Sequence, residues 1–282
     1  MTDKHLSLIL PCKDEALNIK KCLESIVQQW PEAQAAHPDA KLEIVLVDDG
    51  SHDGTAEIAR RVVPDEGLLK IVRTADNPIG LGPARNFGFK HITGSYYWCI
   101  DADDWILPNA LDSIFEKMQT EPDCIYVNVQ SGKEPKSVHP QNLFQLACTE
   151  VGVWAKVFKR HCWADFPDYI PEDVTPHFLM LDKVQRFEVV DQPCYFYNRE
   201  NPSAISRTFD YLAAHPSNML QLITDEVLEK RALKPEWLSG IVKNLGDMIG
   251  LKSKLRNNMV KMAWWRKLTT EYRNYMCGIF VH

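Results

Sequence analysis

The chain has 282 residues, 45% hydrophobic and 25% charged, a mix that suits one large folded domain with an appendage and excludes a disordered chain. Its formal net charge of −6 argues against a general nucleic-acid binder, whose affinity comes from basic groups facing phosphates. None of the eight cysteines forms a CxxC pair, so buried reduced thiols are expected rather than zinc knuckles or redox pairs.

The opening MTDKHLSLIL turns polar again at Pro11 and Lys13, too soon for a signal peptide. No run approaches the roughly 20 apolar residues that span a bilayer, so a cytoplasmic location is expected. Leu6 to Leu10 reads as a buried strand closed by Pro11. Helical spacing follows from Ala16 to Gln29, with Leu17, Cys22 or Leu23, and Ile26 on one side, and then a polar loop rich in Ala and Pro. Leu42 to Val47 is the clearest strand. Asp53 is a good N-cap for a helix from Thr55 to Val63. Leu68 to Arg73 reads as a strand, Pro83 to Ile92 as a helix and Tyr96 to Ile100 as a strand. Pro108 suits the first turn of a helix through Met118, and Cys124 to Val129 is a fifth strand. Beyond it, Val151 to Phe158 and Phe187 to Tyr197 read as strands around a helix near Glu172 to Leu181, and the chain from Phe209 onward is helical.

Strands alternating with helices imply parallel pairing through right-handed crossovers, an α/β layered sheet. Ligands of such sheets bind beyond the carboxyl ends of the strands. That rule singles out Pro11 to Asn18, Asp48 to Gly54, Ala75 to Arg85 and Asp101 to Trp105.

In the last of these, Asp101-Ala102-Asp103-Asp104 follows a strand directly. Three carboxylates within four residues repel each other unless a cation joins them, and hard oxygen donors suit Mg²⁺ or Mn²⁺. The bland alternative is an acidic surface loop. Asp48-Asp49-Gly50-Ser51 makes a turn and helix cap, which explains Gly50, Asp53 and Gly54 better than two consecutive aspartates. Asp49 can accept a hydrogen bond from a ring imide or a ribose hydroxyl. Gly80 to Arg85 fails as a dinucleotide fingerprint, since its sixth position is Arg and it does not close the first strand. It reads as a loop entering a helix, with Arg85 either on the helix surface or available to an anion. Glu172-Asp173 sits in a helix's first turn, where acids favour the dipole; the alternative is a general base.

Together, SLILPCKDEALNIKKCLESI, IVLVDDGSHDGT, PARNFGFKHITGSYYWCIDADDWILP, WAKVFKR and PEDVTPHF resemble family 2 of the inverting glycosyltransferases over about residues 5 to 200. Lys13 departs from the family's usual Asn. The resemblance implies a GT-A (Rossmann-like) α/β sheet for nucleotide-diphospho-sugars with a helical C-terminal extension. It implies a catalytic domain over 1–207, with a nucleotide-binding half (1–130) and an acceptor-binding half (131–207), and a helical region over 208–282. By resemblance, Pro11, Glu15, Asp49, Arg85, Asp101, Ala102 and Asp103 contact the donor, and Asp103 holds Mn²⁺ or Mg²⁺. Asp104 and Glu172 lie by the sugar or acceptor, and Asp173 is the base. The implied partners are a nucleotide-sugar donor, preferably a UDP-sugar, and a glycan or lipid-linked acceptor of a bacterial surface polysaccharide or glycolipid.

Two other functions compete. A sugar nucleotidyltransferase needs a Gly-rich, Arg-containing loop after the first strand, which PCKDEALN does not supply. A binding protein that kept the fold but lost turnover is disfavoured by the retained acids. Between Lys252 and Arg273, seven basic residues oppose one acid, Glu271, with Trp264, Trp265 and Tyr272 interspersed. Such a helix suits peripheral contact with an anionic membrane face, or packing against the catalytic domain or a second subunit in a homodimer.

Overall fold

The computed structural model describes residues 3–132, 137–149, 152–168 and 172–201. Two compact units are distinguished, Met1–Leu143 with Gly152–Asn201, and Phe144–Val151 with Pro202–His282. The basic aromatic tail and the expected boundary at 207 lie outside the described residues.

The first unit begins β1 (His5–Cys12), α1 (Ile19–Val27), α2 (Trp30–Ala36), β2 (Lys41–Asp48), α3 (Thr55–Val62) and β3 (Leu69–Arg73). It continues with α4 (Leu81–Phe89), β4 (Tyr96–Cys99), β5 (Trp105–Ile106), α5 (Ala110–Met118) and β6 (Cys124–Gln130). Helix α6 (Leu143–Thr149) falls almost wholly in the second unit. The first unit resumes with β7 (Lys156–Lys159), α7 (Val174–Leu181) and β8 (Phe187–Phe196).

The strands form one sheet in the order β3-β2-β1-β4-β7-β6-β8-β5. The first four are parallel, as the alternation implies. Beyond β4 the sheet is mixed, because β7 inserts antiparallel between β4 and β6 and buries Val157 and Phe158 there. The fifth strand expected from sequence is therefore not a parallel neighbour of β4. It pairs in parallel with β8 across a bulge that the Asn128 amide bridges to the carbonyl of Val190 at 2.9 Å.

Three local expectations are corrected. Strand β1 does not close at Pro11 but runs on to Cys12. The β4 ladder has ended at Ile9↔Cys99, and Ile9 O points to that side, so the ring nitrogen of Pro11 faces no missing partner. Helix α1 starts at Ile19, and Leu17 is 96% exposed rather than on the buried side. The polar loop after α1 contains α2, whose Pro31 sits in the first turn where no N–H is needed.

Helices cover both faces. Leu6, Leu8 and Leu10 of β1 and Ile44 and Leu46 of β2 share one hydrophobic core with Ile19, Leu23 and Ile26 of α1 and Ile114 and Phe115 of α5. Each such fully buried side chain contributes about 1.5–3 kcal/mol. On the opposite face α4 lies against β1 and β2. A Cβ at Gly88 would sit 2.7 Å from Ile9 Cγ2 and 2.8 Å from Val47 Cγ2, so glycine lets this helix approach. That approach brings Arg85, on the same helix, under the carboxyl end of the sheet.

Candidate active site

The loops after β1 and β2 are laced together. Asp14 N donates to Ser51 Oγ at 3.0 Å, and His52 N returns a bond to Asp14 Oδ1 at 2.9 Å. Glu15 N donates to Thr55 Oγ1 at 2.9 Å and Ala16 N to Asp53 Oδ2 at 2.8 Å. Asp53 thus does two jobs. Its other oxygen takes Thr55 N at 3.0 Å, although Gly54, with φ 87°, is the residue that enters α3. The lacing sets the half-buried Glu15 facing the acidic loop after β4: burial first, then the charges of Asp103, Asp53 and Asp101, lift its pKa to about 7.

The acidic loop holds four residues in two environments. Asp101 and Asp103 are half-buried, whereas Ala102 and Asp104 are buried at 3% and 1% exposure. The Ala102 methyl belongs to the hydrophobic core, so only its main chain can meet a ligand. Asp104 is likewise committed inward: Oδ2 accepts from the Tyr195 hydroxyl at 2.6 Å and Oδ1 from Asn198 N at 2.7 Å. Burial, then Asp101 and Asp103, raise its pKa. The structure thus makes Asp104 a brace for the loop.

Arg85 is not a surface residue. It is 2% exposed, and its Nη2 holds Asp101 Oδ1 at 2.7 Å while Nη1 donates to Glu172 Oε1. Among the described residues its Nε has no hydrogen-bond partner. Glu172 is itself buried, 7% exposed, so the pairing neutralises a carboxylate shielded from water. Its neighbour Asp173 stands at the N-terminus of α7, half-buried, and its charge adds to the field on Arg85. Three stretches separated in sequence therefore converge through one guanidinium.

Asp49, at the carboxyl end of β2, is 5% exposed. Its Oδ1 accepts from Thr74 Oγ1 at 2.7 Å and Ile79 N at 2.9 Å, and its Oδ2 from Gly80 N at 2.9 Å. The loop after β3 therefore folds onto this carboxylate. Asp48 carries a separate load, binding Arg73 and Ser51 N. Pro11 is buried inside β1 beneath the same loops.

Among the described residues no group of three or more His, Cys, Asp or Glu is placed to close around a metal ion. Mg²⁺ and Mn²⁺ need less from a protein, since they keep waters and take phosphate oxygens beside one or two carboxylates. Asp103 meets that requirement. Asn201 Nδ2 holds its Oδ2 at 2.7 Å, while Oδ1 has no hydrogen bond among the described residues. Burial, then Asp101, pushes its pKa up, a cost that a cation beside it would relieve. The described cysteines Cys12, Cys22, Cys99, Cys124, Cys162 and Cys194 are free and buried, as expected. No helix among the described residues is long and apolar enough to cross a membrane.

Tyr195, Asn198, Asn201 and Thr74 were not legible in the sequence as site residues. No local motif marks them, because their roles arise only where β8 and the loop after β3 meet the acids.

Comparison with known proteins bears on the family and the fold. The model of the family described as glycosyl transferase family 2 matches residues 7–185. The glycosyltransferase GlyA of Streptococcus pneumoniae is 30% identical over 118 residues, covering 42% of this chain and 16% of that protein, so the chain spans a small part of that relative's length. Among solved structures, residues 1–349 of S. aureus TarS, in complex with UDP-GlcNAc, superpose with a TM-score of 0.66 at 20% identity, covering 90% of this chain and 78% of that one. The mannosyltransferase PcManGT of Pyrobaculum calidifontis, in complex with GDP-Man and Mn²⁺, gives a TM-score of 0.57 at 17% identity, covering 100% and 86%. These likenesses agree on a GT-A-type α/β fold, and the family match spans most of the sheet and the converging acids: the chain belongs to glycosyl transferase family 2.

Proposed function

We propose that this chain transfers a sugar from a nucleoside diphosphate donor to an acceptor hydroxyl by single displacement with inversion. The observation that supports the reading is Arg85, which ties the acidic loop to the Glu172-Asp173 corner; we take Asp103 as the cation-binding carboxylate and Asp173 as the base. TarS bound to UDP-GlcNAc and PcManGT bound to GDP-Man support a nucleotide-sugar donor, and the second supports a divalent cation.

Asp103 would hold Mn²⁺ or Mg²⁺. When bound, such an ion offsets the negative charge that develops on the leaving diphosphate. Glu15 and Asp49 line the nucleoside end of the cleft, with Pro11 beneath them. Asp101, fixed by Arg85, keeps its second oxygen for the ribose or the metal's surroundings. Asp173 takes the acceptor hydroxyl's proton as that oxygen attacks the anomeric carbon, assistance worth about 10²–10⁴-fold. An α-linked donor then gives a β-linked product. We take a UDP-sugar as donor and a surface glycan or glycolipid as acceptor, and we place the reaction in the cytoplasm or at the inner membrane face.

Thermal-shift screening against UDP-, GDP- and other nucleotide sugars, with Mn²⁺ and with EDTA, tests this, because a ligand of the folded state raises apparent stability. A metal-dependent rise with one nucleotide sugar is expected. No shift with any of them, or release of pyrophosphate on turnover, would overturn the reading.

A further inference from the structure

The segment from Tyr195 to Asn201 straps the acidic loop from below. The Tyr195 hydroxyl accepts from Asp101 N at 3.1 Å and donates to Asp104 Oδ2 at 2.6 Å. Asn198 donates its main-chain N–H to Asp104 Oδ1 at 2.7 Å and its side-chain amide to the carbonyl of Asp103 at 3.1 Å. Asn201 completes the strap, its Nδ2 reaching Asp103 Oδ2 at 2.7 Å. Main chain and side chain of Asp103 are therefore both held from one short stretch of sequence.

We propose that Asn201 is a positioning residue that acts through Asp103, turning the carboxylate so that Oδ1 faces the cleft and a divalent cation. This rests on the reading that Asp103 receives the cation. Three features argue for it. Asn201 is 6% exposed, so water does not compete for the bond that fixes the carboxylate. The bond occupies one oxygen and leaves the other without a hydrogen bond among the described residues. The donor is a neutral amide, which orients the carboxylate without cancelling its charge; a lysine or arginine there would compete electrostatically with the metal. By contrast, the Asp101 carboxylate is held by a cation, Arg85, and is correspondingly less available to a second one.

The test is Mn²⁺ titration followed by electron paramagnetic resonance, with saturating UDP, on the full chain and on Asn201→Ala and Asn201→Leu. The leucine variant keeps the volume if truncation unfolds the protein. Both variants are expected to bind Mn²⁺ about tenfold more weakly, since losing a partner that orients a metal ligand typically costs 10- to 100-fold in affinity. UDP binding in EDTA should not change, whereas a purely structural brace would lower the melting temperature and leave Mn²⁺ affinity at the wild-type value. Unchanged or tighter Mn²⁺ binding in the variants, beside a wild type that binds it, overturns the role of Asn201 alone. A wild type without Mn²⁺ binding overturns both this role and the assignment of Asp103.

Discussion

Arg85 and Glu172 form an ion pair across 87 positions of sequence, and neither side chain has appreciable contact with water. Burial opposes the guanidinium's charge, but Asp101 and Glu172 more than offset it, so the group holds its proton more tightly than a free arginine. A planar fork can serve two carboxylates at once, which an ammonium cannot do with the same geometry. The pair fixes the distance between the acidic loop and the corner carrying Asp173. Removing Arg85 would leave Glu172 buried and unpaired.

Arg85→Ala is therefore expected to destabilise the fold by about 3–5 kcal/mol, the usual cost of stranding a buried charge. Urea unfolding of the purified variant measures this. Arg85→Lys should retain part of the stability and still lose most transfer activity. A lysine variant with full turnover would show that the fork does not set the cleft.

Asp173→Asn is expected to leave donor binding intact and to lower transfer by about 10²–10⁴-fold, the range of general-base assistance. Isothermal calorimetry with UDP and a turnover assay on the same preparation separate the two effects. Near-wild-type turnover would remove Asp173 from the mechanism.

Asp103→Ala should abolish the dependence of UDP binding on Mn²⁺ or Mg²⁺. Calorimetry with and without EDTA reads this directly. Metal-dependent binding that survives the substitution would move the cation elsewhere.

Glu15 gives a pH dependence of defined sign. Its pKa stands at about 7 in the fold, against an ordinary value of 4.5, so the folded state favours the protonated form. The stability this group contributes is complete below about 4.5 and is lost as pH rises through about 7. Glu15→Gln should melt progressively higher than wild type as pH increases across that window, in EDTA to keep cations away. Parallel melting curves for the two proteins would contradict it.

Gly82 tests the packing of α4 at its outer end. A Cβ there would lie 2.0 Å from the carbonyl oxygen of Pro167, a backbone atom that cannot swing aside. Gly82→Ala is expected to cost about 1–3 kcal/mol through overpacking, seen as a lower melting temperature. An unchanged melting temperature would mean that the loop around Pro167 yields freely.

Much of this protein was legible in the residues alone. Leu42 to Val47 is apolar apart from Glu43 and carries the β-branched Ile44, Val45 and Val47, and it became β2 with nearly the expected bounds. The acids at 101, 103 and 173 stand out because a carboxylate at a strand end or helix start is exposed to ligands wherever the sheet is layered. A strand was expected over Val151 to Phe158, but the antiparallel direction of β7 and its place between β4 and β6 were not legible, since four residues of a strand carry no mark of either. Helix α2 hid for a different reason: its Ala, Pro and Gln composition reads as loop until Ala33 finds the core.

What the sequence determined by itself was the order of the elements and which residue types sit at the strand ends, because backbone periodicity and turn chemistry act over a few neighbours. Tertiary structure decided what each acid does. Asp101, Asp103 and Asp104 are chemically alike and adjacent, yet one meets an arginine, one an asparagine amide and one a tyrosine hydroxyl. Those partners come from residues 85, 201 and 195, and charge, orientation and burial are set by groups that only the folded sheet brings within a few ångströms.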